Sequence, residues 1–152
     1  MWPSLKSSCR ALALCALVPL LSGCENNLAS MLVEDRNHSI VLIREQPYLW
    51  SNKVNQFIVA TRIPKCQRRM SIHPDTTTLM PIEVYEAGDL LWALRQGGRW
   101  YLVSTEECQV QDWLEPPATP PGRAVGRFEM KGEKVVFIPV PVAPAPVETS
   151  AE

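Results

Sequence analysis

Gly97 and Gly98 stand between two runs of strand-forming residues, 90–96 and 99–104. Glycine takes positive φ without steric cost, and a two-residue loop of this kind reverses a β-ribbon with the right twist. Placing the pair at the loop fixes the pairing on both sides of it. Leu94 then faces Tyr101 and Trp92 faces Val103 on one side, while Arg95 meets Trp100 and Ala93 meets Leu102 on the other. One side is strongly apolar and supplies core. The Arg95 and Trp100 pair sets a cation against a ring, worth about 0.5–1 kcal/mol at an exposed site.

The stretches around this hairpin repeat its logic. From Ser39 onward, short apolar or alternating runs are cut by turn residues every few positions. Residues 40–43 are an apolar run that stops before Pro47, as a short buried strand would. Ser51, Asn52 and Lys53 make a turn, and residues 54–63 resume a strand up to Pro64. Residues 67–73 alternate, with Met70 and Ile72 on one face and Arg69, Ser71 and His73 on the other. Pro74, Asp75 and the three threonines after them read as a loop. Residues 81–87 form a strand with Ile82 and Val84 inward and Glu83 outward. Four prolines and a glycine between residues 115 and 123 make a loop that leaves the sheet and returns. A last hairpin turns at Gly132 and Glu133, bringing Phe128 opposite Phe137 and Met130 opposite Val135. The expected fold is mainly β: a small antiparallel sheet or half-open barrel of six to eight strands over residues 38–138.

The N-terminus has a different character. Lys6 and Arg10 precede an apolar run over residues 11–21, with no acidic residue before it, followed by Leu21, Ser22, Gly23 and Cys24. A positive start, an apolar centre and small residues at a cleavage point are the layout of a secretory signal. As a helix the apolar run spans only about 16 Å, half of a ~30 Å hydrocarbon core, which disfavours a permanent transmembrane segment. Leu21-Ser22-Gly23-Cys24 resembles the lipobox of bacterial lipoprotein precursors. The resemblance covers residues 1–24 alone and implies removal of residues 1–23, with a diacylglyceryl group on the Cys24 thiol. Two or more acyl chains anchor a protein stably without a spanning helix. Glu25 departs from the Asp that retains such lipoproteins of diderm bacteria in the inner membrane. That resemblance implies an outer-membrane lipoprotein facing the periplasm, with the inner membrane or the cell surface as alternatives.

Cleavage there leaves 129 of the 152 residues, enough for one domain with a modest core. With Lys6 and Arg10 gone, 13 basic and 16 acidic residues remain. The net charge of −3 argues against nucleic acid as a partner. Cys9 and Cys15 leave with the signal and Cys24 is taken by lipid, so Cys66 and Cys108 remain. In a chain addressed to an oxidising compartment, pairing of these two is the default. Residues 24–37 form a lipidated anchor followed by a tether or a short helix, since Leu28, Met31 and Leu32 fall at helical spacing. Residues 139–152 carry Pro139, Pro141, Pro144 and Pro146 and read as a disordered, polyproline-like tail.

Motifs that carry chemistry are missing from the sequence. His38 and His73 belong to no HExxH, no histidine cluster and no GxSxG elbow, and there is no glycine-rich phosphate loop. A lone His at a strand end is usually a surface residue or a locally hydrogen-bonded one. No catalytic residue, metal ligand or cofactor is assigned, and the chain is read as a non-enzyme. Two features serve binding instead. Arg62, Lys65, Arg68 and Arg69 crowd around Cys66 and make a basic patch in an acidic protein. Trp50, Trp100 and Trp113 fall where exposure is expected, and exposed aromatics are common at interfaces and glycan platforms. The candidate binding residues are therefore Arg62, Lys65, Arg68, Arg69, Arg95 and Trp100. The expected function is that of a membrane-attached envelope lipoprotein, a binding or assembly accessory for an envelope protein or polymer. The alternative is a small disulfide-stapled inhibitor of a periplasmic or host hydrolase, acting through a protruding loop at residues 74–78.

Overall fold

A computed structural model describes residues 26–141. The strands in chain order are β1 (Asn26–Leu32), β2 (His38–Glu45), β3 (Lys53–Arg62), β4 (Cys66–Thr76) and β5 (Ile82–Gly88). They continue as β6 (Leu91–Gln96), β7 (Arg99–Ser104), β8 (Gln109–Asp112), β9 (Ala124–Lys131) and β10 (Lys134–Pro139). β1 to β4 make one sheet as a simple meander, and the other six make a second in the order β10-β9-β5-β6-β7-β8. Every pairing is antiparallel. The fold is thus mainly β and not closed, with ten strands among the described residues rather than six to eight.

Alternation along each strand sends one set of side chains between the sheets. Met31, Ile40, Leu42 and Ile58 come from the first sheet and meet Ile82, Val84, Leu94, Tyr101, Val103 and Phe128 from the second in one continuous core. Each such side chain, fully withdrawn from water, contributes about 1.5–3 kcal/mol. The sheet edges approach each other, β1 beside β10 and β4 beside β8. Single contacts bridge these seams in place of a ladder. Asn27 Nδ2 donates to the Glu133 carbonyl at 2.8 Å, and the Val110 N–H donates to Met70 Sδ at 3.2 Å.

Both hairpins have the register that the glycines dictate. Trp92 pairs with Val103, Ala93 with Leu102, Leu94 with Tyr101 and Arg95 with Trp100. Phe128 pairs with Phe137 and Met130 with Val135. Gly97 takes φ +58° and Gly132 φ +65°, so each turn has one left-handed residue. Cys66 and Cys108 form a disulfide that ties the start of β4 to the turn before β8, with 6.0 Å between their Cα atoms.

The sheets also share polar ties. Gln56 and Gln96, both buried, exchange amide hydrogen bonds at 3.1 and 3.3 Å across the core. Gln56 Nε2 also donates to the His73 carbonyl at 2.7 Å, and Gln96 Nε2 donates to Asp75 Oδ2 at 3.2 Å and the Met80 carbonyl at 3.1 Å. Arg44 is buried between the sheets at one end, donating to Met130 Sδ at 3.2 Å and to the Thr76 carbonyl.

Three expectations are corrected by this architecture. Residues 26–32 form a strand, not a helix or tether, because pairing with β2 over seven residues outweighs the spacing of Leu28, Met31 and Leu32. The β domain therefore begins at Asn26 instead of residue 38. Pro74, Asp75 and Thr76 are the end of β4, not loop, with Asp75 and Thr76 paired to Val54 and Lys53 across a bulge. At the other terminus Pro139 closes β10. Cys24 and the leader before it, and the tail from residue 142 onward, lie outside the described residues.

Candidate functional site

The outer face of the six-stranded sheet carries the densest cluster of half-exposed aromatic side chains. Strand register assembles it. Glu83 of β5 pairs with Arg95 of β6, and Arg95 pairs with Trp100 of β7, which makes one row across three strands. Past the end of β8, the Trp113 N–H donates to the Trp100 carbonyl at 2.9 Å and brings the second indole alongside. Tyr85 lies two residues from Glu83 on the same face of β5.

The rings form a short ladder. Tyr85 and Trp100 have centroids 5.8 Å apart with planes at 32°, and Trp100 meets Trp113 edge to face at 5.9 Å and 80°. The Arg95 guanidinium lies 5.6 Å from the Trp100 centroid, and Arg95 Nη1 is 3.8 Å from Glu83 Oε2. The same carboxylate oxygen accepts a 2.9 Å hydrogen bond from the Tyr85 hydroxyl. Partial burial and the Glu83 hydrogen bond both raise the Tyr85 phenol above its ordinary value, so it stays a donor at neutral pH. A shallow cleft of about 360 Å³ opens beside it, lined by Glu83, Tyr85, Arg127, Ile138 and Pro139. Flat rings flanked by a cation, a carboxylate and a hydroxyl suit ligands with both apolar faces and polar edges.

The six candidate binding residues do not form one surface. Arg95 and Trp100 sit on this ladder, whereas Arg62, Lys65, Arg68 and Arg69 belong to β3, β4 and the turn between them, in the other sheet. Arg69 points outward, lies 3.8 Å from the Phe57 centroid and is paired with Glu45 at 2.8 Å. Arg68 falls on the opposite face of β4, and Lys65 is paired with Glu106 at 3.6 Å. These cations are thus divided between faces and partly neutralised. Trp113 was within reach of sequence reasoning, but Tyr85 and Glu83 were missed. Aligning residues 81–87 against the central hairpin would have found them.

The histidines are placed differently from one another. His73 is exposed, and the Asp75 carboxylate near it is occupied by the Met80 N–H at 2.8 Å and by Gln96. His38, expected at the surface or in a local hydrogen bond, is buried and bonded 67 residues away, with Nε2 2.8 Å from Thr105 Oγ1. Glu34 Oε2 lies 3.2 Å from its Nδ1. Carboxylate, imidazole and hydroxyl therefore line up, but Thr105 has no exposed surface, so its oxygen offers no face to a substrate. The arrangement pins the start of β2 to the turn between β7 and β8. Residues 74–78 are tied down, although Thr76, Thr77 and Thr78 are exposed: the Thr77 N–H donates to the Asn52 carbonyl at 3.1 Å and Thr76 Oγ1 to the Thr78 carbonyl at 2.9 Å. Among the described residues no three His, Cys, Asp or Glu side chains gather as a metal centre requires.

No protein-family model, curated protein or solved structure matches the chain.

Proposed function

We propose that this chain is a cell-envelope lipoprotein, anchored by acylated Cys24 and facing the periplasm, that works as a non-enzymatic binding or assembly accessory. The working surface is the Tyr85–Trp100–Trp113 ladder with Arg95 and Glu83. One observation carries the choice. These rings stand half-exposed on the outer face of a sheet whose inner face already fills the core, so core packing does not account for them. Half-buried aromatic and Arg side chains are the residue types that dominate binding energy at interfaces. The partner class that fits is an envelope protein or polymer presenting an apolar ring or strand edge with hydrogen-bonding groups beside it. The anchor follows from the resemblance of residues 21–24 to a lipobox, and the oxidising address agrees with the Cys66–Cys108 bond.

A photocrosslinking residue placed at position 100 or 113 in intact envelopes tests the surface. Discrete adducts are expected from both positions and none from Ser71, an exposed residue on the outer face of the other sheet. Adducts from Ser71 alone, or from none of the three, would overturn the assignment.

A further inference from the structure

Three strongly exposed large apolar side chains stand side by side at one end of the first sheet. β1 enters at Asn26, which pairs with Glu45, the last residue of β2, and Glu45 pairs with Asn55 near the start of β3. The β2–β3 connection therefore leaves the sheet at the end where the chain arrives from Cys24. That connection carries Tyr48, Leu49 and Trp50, which are 57%, 63% and 83% exposed. It is a built turn: the Ser51 N–H donates to the Tyr48 carbonyl at 3.0 Å and Gln46 Nε2 to the Ser51 carbonyl at 2.7 Å. Tyr48 and Trp50 stack on each other, centroids 5.5 Å apart and planes at 17°. An ordered turn that holds a Tyr, a Leu and a Trp out of the protein loses burial energy in water unless something apolar receives them.

Covalent geometry says what lies nearby. Cys24 is two residues from Asn26, so its Cα is within about 7 Å of the sheet end. If Cys24 carries acyl chains, the bilayer surface is at this end of the domain. The charge there is compatible. Lys53 begins β3, and Lys131 and Lys134 flank the β9–β10 tip, which Asn27 holds through the Glu133 carbonyl. Glu133 is the acid at that tip, and Glu45 is engaged by Arg69.

Resting on the lipoprotein reading, we propose that the Tyr48–Leu49–Trp50 turn is a second membrane contact, inserted at the headgroup and acyl-chain boundary of the leaflet that holds the Cys24 lipid. Trp and Tyr favour that boundary because their rings are apolar and their N–H and O–H groups reach water. The acyl chains supply the affinity, and tethering makes the turn's insertion intramolecular. Its effect is orientation. The domain stands on the end of its sheets, and the aromatic ladder on the outer face of the second sheet points sideways into the periplasm instead of toward lipid.

The test uses the full chain purified from membranes, with acylation read by intact mass, reconstituted in vesicles of phosphatidylethanolamine and phosphatidylglycerol. One vesicle set has ordinary acyl chains and the other brominated chains, which quench indole at the boundary. Subtracting a Trp50→Phe variant isolates Trp50 from Trp92, Trp100 and Trp113. Because Trp50 is exposed, the variant keeps its fold, which near-ultraviolet circular dichroism verifies. The expected result is that the Trp50 component loses most of its emission in brominated vesicles while the remainder does not. Acylated protein whose Trp50 is equally bright in both sets overturns the membrane contact and leaves the anchor standing. If Trp50 is unquenched in vesicles and crosslinks to a protein in envelopes, the turn is a protein-docking site and the proposal fails. Protein without acyl mass refutes the anchor itself, and the second contact falls with it.

Discussion

Replacing Cys66 and Cys108 with alanine removes a covalent tie between the two sheets. The bond closes a loop of 42 residues. Loop-closure entropy assigns a crosslink of that span about 4 kcal/mol of stability at 25 °C, acting on the unfolded chain. The folded side adds a smaller amount. Cys108 is 1% exposed and packed in the core, so losing its sulfur leaves a small void costing about 1 kcal/mol. The sum, about 5 kcal/mol, compares with a total of about 5–15 kcal/mol for an ordinary domain. Denaturant unfolding of the double alanine variant should show that loss, with a melting temperature lower by about 15–20 °C. A second variant separates entropy from local geometry. Cys108 has φ +52°, a left-handed conformation that costs an L-residue about 1–2 kcal/mol. Cys66→Ala with Cys108→Gly should therefore recover about 1 kcal/mol relative to the double alanine protein. A loss below about 1 kcal/mol in the alanine pair would refute the view that this crosslink supplies a large share of the stability.

Three further outcomes follow from the same structure. Gly97→Ala should destabilise the central hairpin by about 1–2 kcal/mol, since Gly97 has φ +58°, while Gly98→Ala, with open space at its Cβ, should stay within about 0.5 kcal/mol by chemical denaturation. Gln56→Leu should cost about 1–3 kcal/mol by stranding Gln96 Oε1 and the His73 carbonyl, and the Gln56→Leu, Gln96→Leu pair should cost less than the sum of the singles in a double-mutant cycle. Burial raises the Tyr101 phenol above its ordinary value of 10, so folding disfavours the phenolate. The stability this lends is complete below pH 10 and is lost as the pH rises through the folded value. In an alkaline absorbance titration, the component missing from Tyr101→Phe should appear above pH 10 for as long as circular dichroism reports a folded chain. Ionisation near pH 10 in a folded protein would contradict the burial.

Legibility followed the range of the interactions involved. The two hairpins were readable residue by residue because two-residue glycine turns fix their own register. The Cys66–Cys108 bond was readable once address and elimination left two thiols. β1 was not, because Leu28, Met31 and Leu32 suit a helix by spacing, and only β2, beyond its own segment, makes them a strand. Residues 74–76 were lost to loop composition for the same reason, their partners being Lys53 and Val54. Within the ladder, the Arg95 and Trp100 contact came from one hairpin and was legible. Tyr85 and Glu83 required the register across the turn at Gly88 and Asp89, where a bulge between Glu86 and Gly88 shifts the pairing. The burial of His38 against Thr105 joins β2 to the turn after β7, 67 residues away, and leaves no local trace in the sequence.

Acylation of Cys24 is tested most directly by intact mass of the membrane-extracted protein beside a Cys24→Ser variant. The predicted result is a chain that lacks residues 1–23, carries acyl mass that the variant lacks, and gains two protons on reduction of Cys66–Cys108. A mature chain with no lipid and with Cys66 and Cys108 as free thiols would contradict both the anchor and the crosslink.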